Sequence, residues 1–213
     1  MSVRTFSLVD RLIGEIDKAI NLLANTSSPS RPVPAASGGE LVLEEAERLE
    51  SSRLMRVNHA GEVAAQALYR GQALTARDSA AADAMRQAAD EEMDHLAWCD
   101  ERLRELKARA SVLNPLWYAG SFLIGAAAGS MGDRISLGFI TETERQVESH
   151  LRDHLERLPA ADRRSRAIVE QMTHDEMRHG AAAAELGGKD LPVWLKTAMQ
   201  LTSKVMTRGS YWL

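Results

Sequence analysis

Two short segments carry a glutamate and a histidine three residues apart: Glu92 with His95, and Glu176 with His179. Residues at that spacing share one face of a helix, so each pair can aim a carboxylate and an imidazole at one point. Alone the pattern is weak, because a solvated helix face with a surface histidine also produces it. The placement of two further acids strengthens it. Glu62 lies 30 residues before Glu92, and Glu144 lies 32 before Glu176. In an antiparallel hairpin, two residues are level when the turn sits midway between them. The midpoints are residues 77 and 160, inside the turn-forming runs Arg-Asp-Ser at 77–79 and Pro-Ala-Ala-Asp at 159–162. Each hairpin therefore sets a lone glutamate level with a Glu-x-x-His pair, and the chain reads as an internal repeat of two helical hairpins.

Four buried carboxylates without counter-charge would each cost several kcal/mol. Two divalent cations cancel them, two neutral imidazoles add nitrogen, and carboxylates can bridge. A glutamate plus Glu-x-x-His from each hairpin is the ligand pattern of di-iron and di-manganese carboxylate bundles. That hard oxygen and nitrogen set suits iron or manganese with open positions for dioxygen. A lone zinc would not use six ligands. Five ligands are thus Glu62, Glu92, His95, Glu176 and His179. The acid of the third helix stays open among Glu142, Glu144 and Glu148, because the strict repeat points to position 146, midway between Glu144 and Glu148. His59, His150, His154 and His174 read as solvated or hydrogen-bonded structural residues rather than ligands. Asp94 and Asp175 are candidates for orienting the ligating imidazoles. Tyr69 lies two turns after Glu62 on the same face and either reaches the site or packs beside it. Tyr69, Glu148 and His150 are the candidates for side chains that support the ligands from behind.

The elements that must carry these residues are helical. Low aromatic content (5%) and abundant alanine favour helices over a β-sandwich. Phe6, Val9, Leu12, Ile13, Ile16, Ala19, Ile20 and Leu23 recur at helical spacing and predict an amphipathic helix over 5–24. Residues 26–39 are rich in Ser, Pro and Gly and read as a linker, so the main domain is expected to span 40–213. Long helices follow over 40–76 (one, or two in series), 80–109, 133–158 and 163–186, with a last amphipathic helix over 192–207. Residues 110–132 contain no charged side chain.

The 213 residues carry a formal charge of -4 with no block of like charge, which leaves no footprint for nucleic acid. One cysteine, Cys99, excludes an internal disulfide framework and fits a reducing cytoplasm. Asp10, Glu15 and Asp17 interrupt the apolar N-terminus, so it does not read as an export signal, and its acids argue against a mitochondrial transit peptide.

Four segments together resemble the demethoxyubiquinone hydroxylase family: Arg-Val-Asn-His-Ala-Gly-Glu at 56–62, Ala-Leu-Tyr-Arg-Gly-Gln at 67–72, Asp-Glu-Glu-Met-Asp-His-Leu at 90–96, and Asp-Glu-Met-Arg-His at 175–179. The likeness runs from about residue 49 to the C-terminus. Two features depart from it: residues 1–40 match nothing in the pattern, and Asn58 stands where many relatives carry Asp. The resemblance implies a ferritin-like four-helix bundle of two hairpins, with Glu62, Glu92, His95, Glu144, Glu176 and His179 as ligands of two iron ions, and so favours Glu144 in the third helix. It also implies a monooxygenase of ubiquinone biosynthesis, which uses dioxygen to hydroxylate a polyprenylated methoxy-methyl-benzoquinol. The electrons would come from the quinol or from reduced nicotinamide. No Gly-x-Gly-x-x-Gly follows a strand, so a dinucleotide fold is not expected.

In such a bundle the second and third helices run parallel, and their connection must travel the bundle's length. Residues 110–132 suffice, since about 18 helical residues span roughly 27 Å. A membrane-spanning reading is disfavoured by Asn114, Pro115 and the glycines at 120, 125, 129 and 132. A crossover lying in or dipping into one leaflet fits better, with Trp117, Tyr118, Phe122, Leu123 and Ile124 bordering access for a prenyl tail. The last helix adds Trp194, Leu195, Lys196, Met199, Lys204 and Trp212, a mix suited to an interface. The expected setting is the cytoplasmic side of a bacterial inner membrane, as a peripheral protein, with other ubiquinone-biosynthesis proteins or a second copy as further partners. A tRNA-modifying di-iron hydroxylase is opposed by the acidity. An iron-storing or ferroxidase shell is opposed by the apolar crossover, and a purely structural bundle leaves the level carboxylates unexplained.

Overall fold

The computed structural model describes residues 8–24, 29–36 and 41–213; residues 5–7 of the expected first helix, and 26–28 and 37–39 of the expected linker, lie outside them. The described residues form seven helices: α1 (Leu8–Leu23), α2 (Glu45–Thr75), α3 (Ser79–Glu105), α4 (Asn114–Ser130), α5 (Asp133–Arg157), α6 (Arg163–Glu185) and α7 (Val193–Trp212). The fold is all-α, a ferritin-like bundle built from the hairpins α2–α3 and α5–α6. Residues 77 and 160 both lie in the short connections.

Cross-helix contacts fix the directions. Tyr69 on α2 reaches Glu144 on α5, while Asn58 reaches His154, so α2 and α5 are antiparallel. On α3 and α6, Glu91 meets His179 and Arg102 meets Ser165, which is again antiparallel. Thus α3 and α5 run the same way, and α4 must return along the bundle. It does so parallel to α2, from Asn114 beside His59 to Ala126 beside Thr75. Gly125 makes this close packing possible, because a Cβ there would collide with the Leu68 carbonyl. No helix among the described residues is long and apolar enough to cross a membrane.

Local chemistry sets the helix ends. Pro115 occupies the first turn of α4, where its missing N–H costs nothing. Asp162 caps α6 by accepting from the Ser165 N–H at 2.9 Å. Gly187, at φ 92°, ends α6. The second long helix stops at Glu105, short of residue 109, because Lys107 turns the chain at φ 57°, a conformation that its residue type does not advertise. The last helix runs past residue 207 to Trp212. There Gly209 packs under Trp117 and Leu113, and the Leu213 carbonyl accepts from the Val112 N–H at 3.0 Å.

Apolar side chains form two main layers. One gathers Leu68, Tyr69, Met85, Phe139, Ile140 and Leu191; the other gathers Leu54, Met55, Trp98, Leu103, Ile168 and Met172. Along each of the four bundle helices, the glutamates and histidines of interest fall between these layers. Residues before the bundle also dock on it. Leu22 of α1 packs with Val63, Leu96 and Tyr118.

Candidate metal centre

Between the two apolar layers, Glu62, Glu92, His95, Glu144, Glu176 and His179 are all buried. Their ligand atoms form two convergent groups: Glu62, Glu92, His95 and Glu176 in one, and Glu92, Glu144, Glu176 and His179 in the other, with the atoms of each group within 4.8 Å of one another. Glu92 and Glu176 belong to both. The two Glu-x-x-His pairs thus supply the shared carboxylates, and the lone glutamates of α2 and α5 each complete one group.

Both imidazoles turn Nδ1 inward and Nε2 outward. His95 Nδ1 lies 2.7 Å from Glu92, 3.2 Å from Glu176 and 3.8 Å from Glu62. His179 Nδ1 lies 3.0 Å from Glu92 and 3.5 Å from Glu176. Outward, His95 Nε2 meets Asp175 at 3.0 Å and His179 Nε2 meets Glu91 at 2.7 Å. The acid directly before each Glu-x-x-His therefore holds the histidine of the other pair.

Tyr69 joins the site by donating to Glu144. Glu148 and His150 do not. Glu148 bonds Arg152 at 2.9 Å, and His150 lies tilted against His154 with ring centres 3.9 Å apart. Counting turns from Glu144 explains this: four and six residues on, a side chain has moved one turn along or round to another face. Glu142 also points elsewhere, to Arg145 and Gln146 at 2.6 Å. Asp94, expected to orient an imidazole, instead receives Ser30 and Arg31. Glu91 takes that role and was not singled out from the sequence, although the acid preceding each Glu-x-x-His was a signal for it. His59 accepts from Asn114 Nδ2 at 3.2 Å, His154 Nδ1 meets Asn58 Oδ1 at 2.7 Å, and His174 is exposed.

The charges show what the layer needs. Burial pushes the Glu62 and Glu144 carboxyls well above the usual range; the charges of Glu92 and Glu176 add to this, while His95 at Glu62 and His179 at Glu144 oppose it. Burial works against charge on His179 too, but Glu176 and Glu92 outweigh it and push the imidazole up to about 11. Glu92 Oε1, Glu176 Oε2 and His179 Nδ1 are buried without a hydrogen-bond partner. Buried polar atoms left unpaired are costly. Here they converge, and they are the donor atoms a pair of divalent cations takes. The residues therefore fit a two-metal centre.

An open groove of 510 Å³ runs between α2, α4, α5 and α7. Gly61 and Thr143, the neighbours of Glu62 and Glu144, line it, and so do Leu68, Trp117, Ile124 and Phe139. Tyr118 and Phe122 instead face α1, in a stacked pair 6.4 Å apart, and Leu123 is 69% exposed.

Residues 50–210 match the protein family described as "Ubiquinone biosynthesis protein COQ7". A curated relative from Burkholderia multivorans, named 3-demethoxyubiquinol 3-hydroxylase, is 56% identical over 97% of this chain and 100% of its own length. Relatives of the same name from Ralstonia pickettii and Bordetella parapertussis are 54% and 55% identical, over 96% of this chain and 99% and 93% of theirs.

Proposed function

The chain belongs to the COQ7 family of ubiquinone biosynthesis proteins, and from that membership we infer that it is a 3-demethoxyubiquinol 3-hydroxylase working on two iron ions held in the buried carboxylate layer. The observation that carries the reading is the pair of convergent ligand groups sharing Glu92 and Glu176, set against the apolar groove. Glu62 and His95 would hold one ion, Glu144 and His179 the other, and Glu92 and Glu176 both. When bound, the irons supply the redox chemistry that activates dioxygen and hydroxylates the ring, with electrons from the quinol or reduced nicotinamide.

The protein's part is placement and exclusion of water. Asp175 and Glu91 hold the imidazoles with Nδ1 inward. Tyr69 fixes one Glu144 oxygen. The groove would seat the quinol ring beside Gly61 and Thr143 and lead the prenyl tail out past Trp117 and Ile124. Outside the groove, Ile13, Ile16 and Ile20 of α1, Leu123 of α4, and Trp194 and Trp212 of α7 are at least 59% exposed. Such a surface suits peripheral attachment to a bilayer on the cytoplasmic side, where a substrate with a greasy tail resides. Lys196 does not contribute charge to it, because it pairs with Asp190 at 2.5 Å.

The test is a metabolite profile of a deletion strain. Accumulated demethoxyubiquinone, cleared by the wild-type gene but not by Glu92→Ala, is the expected result. Unaltered ubiquinone with normal intermediates refutes the reading.

A further inference from the structure

Residues 29–36 have no regular secondary structure, yet they are fastened to the bundle next to the metal ligands. The Ser30 N–H donates to Asp94 Oδ1 at 2.6 Å, and Arg31 Nε donates to Asp94 Oδ2 at 2.7 Å. The Arg31 guanidinium lies 4.8 Å from the centre of the Trp98 ring, and Trp98 Nε1 donates back to the Arg31 carbonyl at 3.3 Å. Asp94 and Trp98 are on α3, so the segment is anchored there. From that anchor Arg31 Nη1 crosses to α6 and donates to Asp175 Oδ2 at 2.8 Å. That oxygen also accepts from His95 Nε2. The other oxygen of Asp175 takes Arg178 at 2.7 Å and Gln171 at 3.2 Å.

The counterpart on the other side is built differently. Glu91 holds His179 with one oxygen and takes Gln87 at 2.9 Å with the other, and its side chain is 38% exposed. The two imidazoles therefore have unequal backing: a buried carboxylate gripped by two guanidiniums behind His95, and a half-open one held by an amide behind His179.

We propose that Arg31 is a positioning residue of the metal centre: from a segment outside the bundle it fixes Asp175 against His95, and it makes two metal sites with like ligands chemically unequal. A carboxylate that shares its oxygen with a guanidinium is a weaker acceptor, so it withdraws less proton density from His95 than Glu91 withdraws from His179. The same contact ties docking of the N-terminal segment to the geometry of one site. The inference rests on the two-iron reading above.

The experiment uses the full chain loaded anaerobically with ferrous ⁵⁷Fe. Iron stoichiometry, competition with a chelator, and the Mössbauer spectrum after oxidation are measured for wild type and Arg31→Met. Methionine keeps an unbranched stem on Trp98 but removes both ion pairs. Losing the carboxylate that orients a ligating histidine costs roughly 10- to 100-fold in metal affinity, and Arg31→Met keeps that carboxylate but frees it. One of the two irons should weaken by up to that factor and one of the two spectral components should move, while the other iron keeps its affinity and signal. Wild-type affinities and an unchanged spectrum overturn the proposal. So does equal weakening of both irons, which marks a merely structural role. If Arg31→Met does not yield folded protein, Arg31→Gln carries the same test, and unchanged components there overturn it equally. A wild-type chain that binds fewer than two irons overturns the two-iron reading along with this inference, whereas two irons in wild type and an unaffected variant overturn this inference alone.

Discussion

Tyr69 on α2 donates its hydroxyl hydrogen to Glu144 on α5, and both side chains are buried. This bond joins the two hairpins at the level of the buried carboxylate layer. Burial first, and then the nearby carboxylate charges, push the Tyr69 hydroxyl well above its ordinary range, so it stays a donor. Tyr69→Phe keeps the ring's packing and removes the bond. Net stability should change by about 1 kcal/mol, while turnover should fall roughly 10-fold or more because Glu144 loses its fixed orientation. Steady-state kinetics on protein of equal iron content checks this; unchanged turnover would make Tyr69 a packing residue only.

Sharing of Glu92 between the two ligand groups predicts unequal effects of ligand removal. Glu92→Ala takes a donor from both groups and should leave much less than two irons bound. Glu62→Ala takes one from a single group, so one iron should remain. Elemental analysis after reconstitution separates the outcomes, and equal loss in both variants would contradict the shared arrangement. Circular dichroism should show unchanged helicity in Glu62→Ala, because removing that buried carboxylate relieves its repulsion with Glu92 and Glu176.

The convergence of the candidate ligands was legible because helix geometry is periodic and a hairpin's turn fixes which residues are level. That arithmetic located Glu62 against Glu92, and Glu144 against Glu176. It could not choose between Glu144 and Glu148, since both lie two residues from position 146 and only the packed helix shows Glu148 turned toward Arg152. The role of Arg31 is a relation between distant segments. Arg31 meets Asp175 across 144 positions, and no local pattern encodes that. The end of α3 was missed for the opposite reason: it depends on one left-handed lysine that carries no sequence signature.

Two helical glycines should respond in opposite ways to a larger side chain. Gly61 lines the groove and a Cβ there meets nothing within 4 Å. Gly61→Leu should raise stability by just under ~1 kcal/mol through helix propensity, yet raise the KM for a long-tailed quinol by filling the groove beside Glu62. Gly125 touches the Leu68 backbone, so Gly125→Ala should cost about 1–3 kcal/mol by forcing α4 off α2. Chemical denaturation and kinetics with short- and long-tailed quinols report both. A KM in Gly61→Leu that is unchanged for either tail would place the substrate elsewhere.

Acid should weaken the fold through histidines away from the buried carboxylate layer. Burial lowers His59 to about 4, His150 to about 4 and His154 to about 2. Asp100 and Asp153 partly oppose this at His59 and His150, while Arg157 reinforces it at His150 and His154. These folded-state values lie below the unfolded value near 6.5. The unfolded chain therefore binds more protons as pH falls past 6.5. Stability is full above that pH and declines toward pH 4, by up to about 2 kcal/mol per histidine at pH 5. Asn58 provides the discriminating variant, because its Oδ1 faces His154 Nδ1 at 2.7 Å. A carboxylate there would favour the imidazolium and raise the folded-state value of His154 toward the unfolded one. Asn58→Asp should then show a shallower fall in Tm between pH 7 and pH 5 than wild type, and comparing the two slopes cancels any contribution from the metal ligands. Parallel slopes would mean that His154 does not titrate with unfolding.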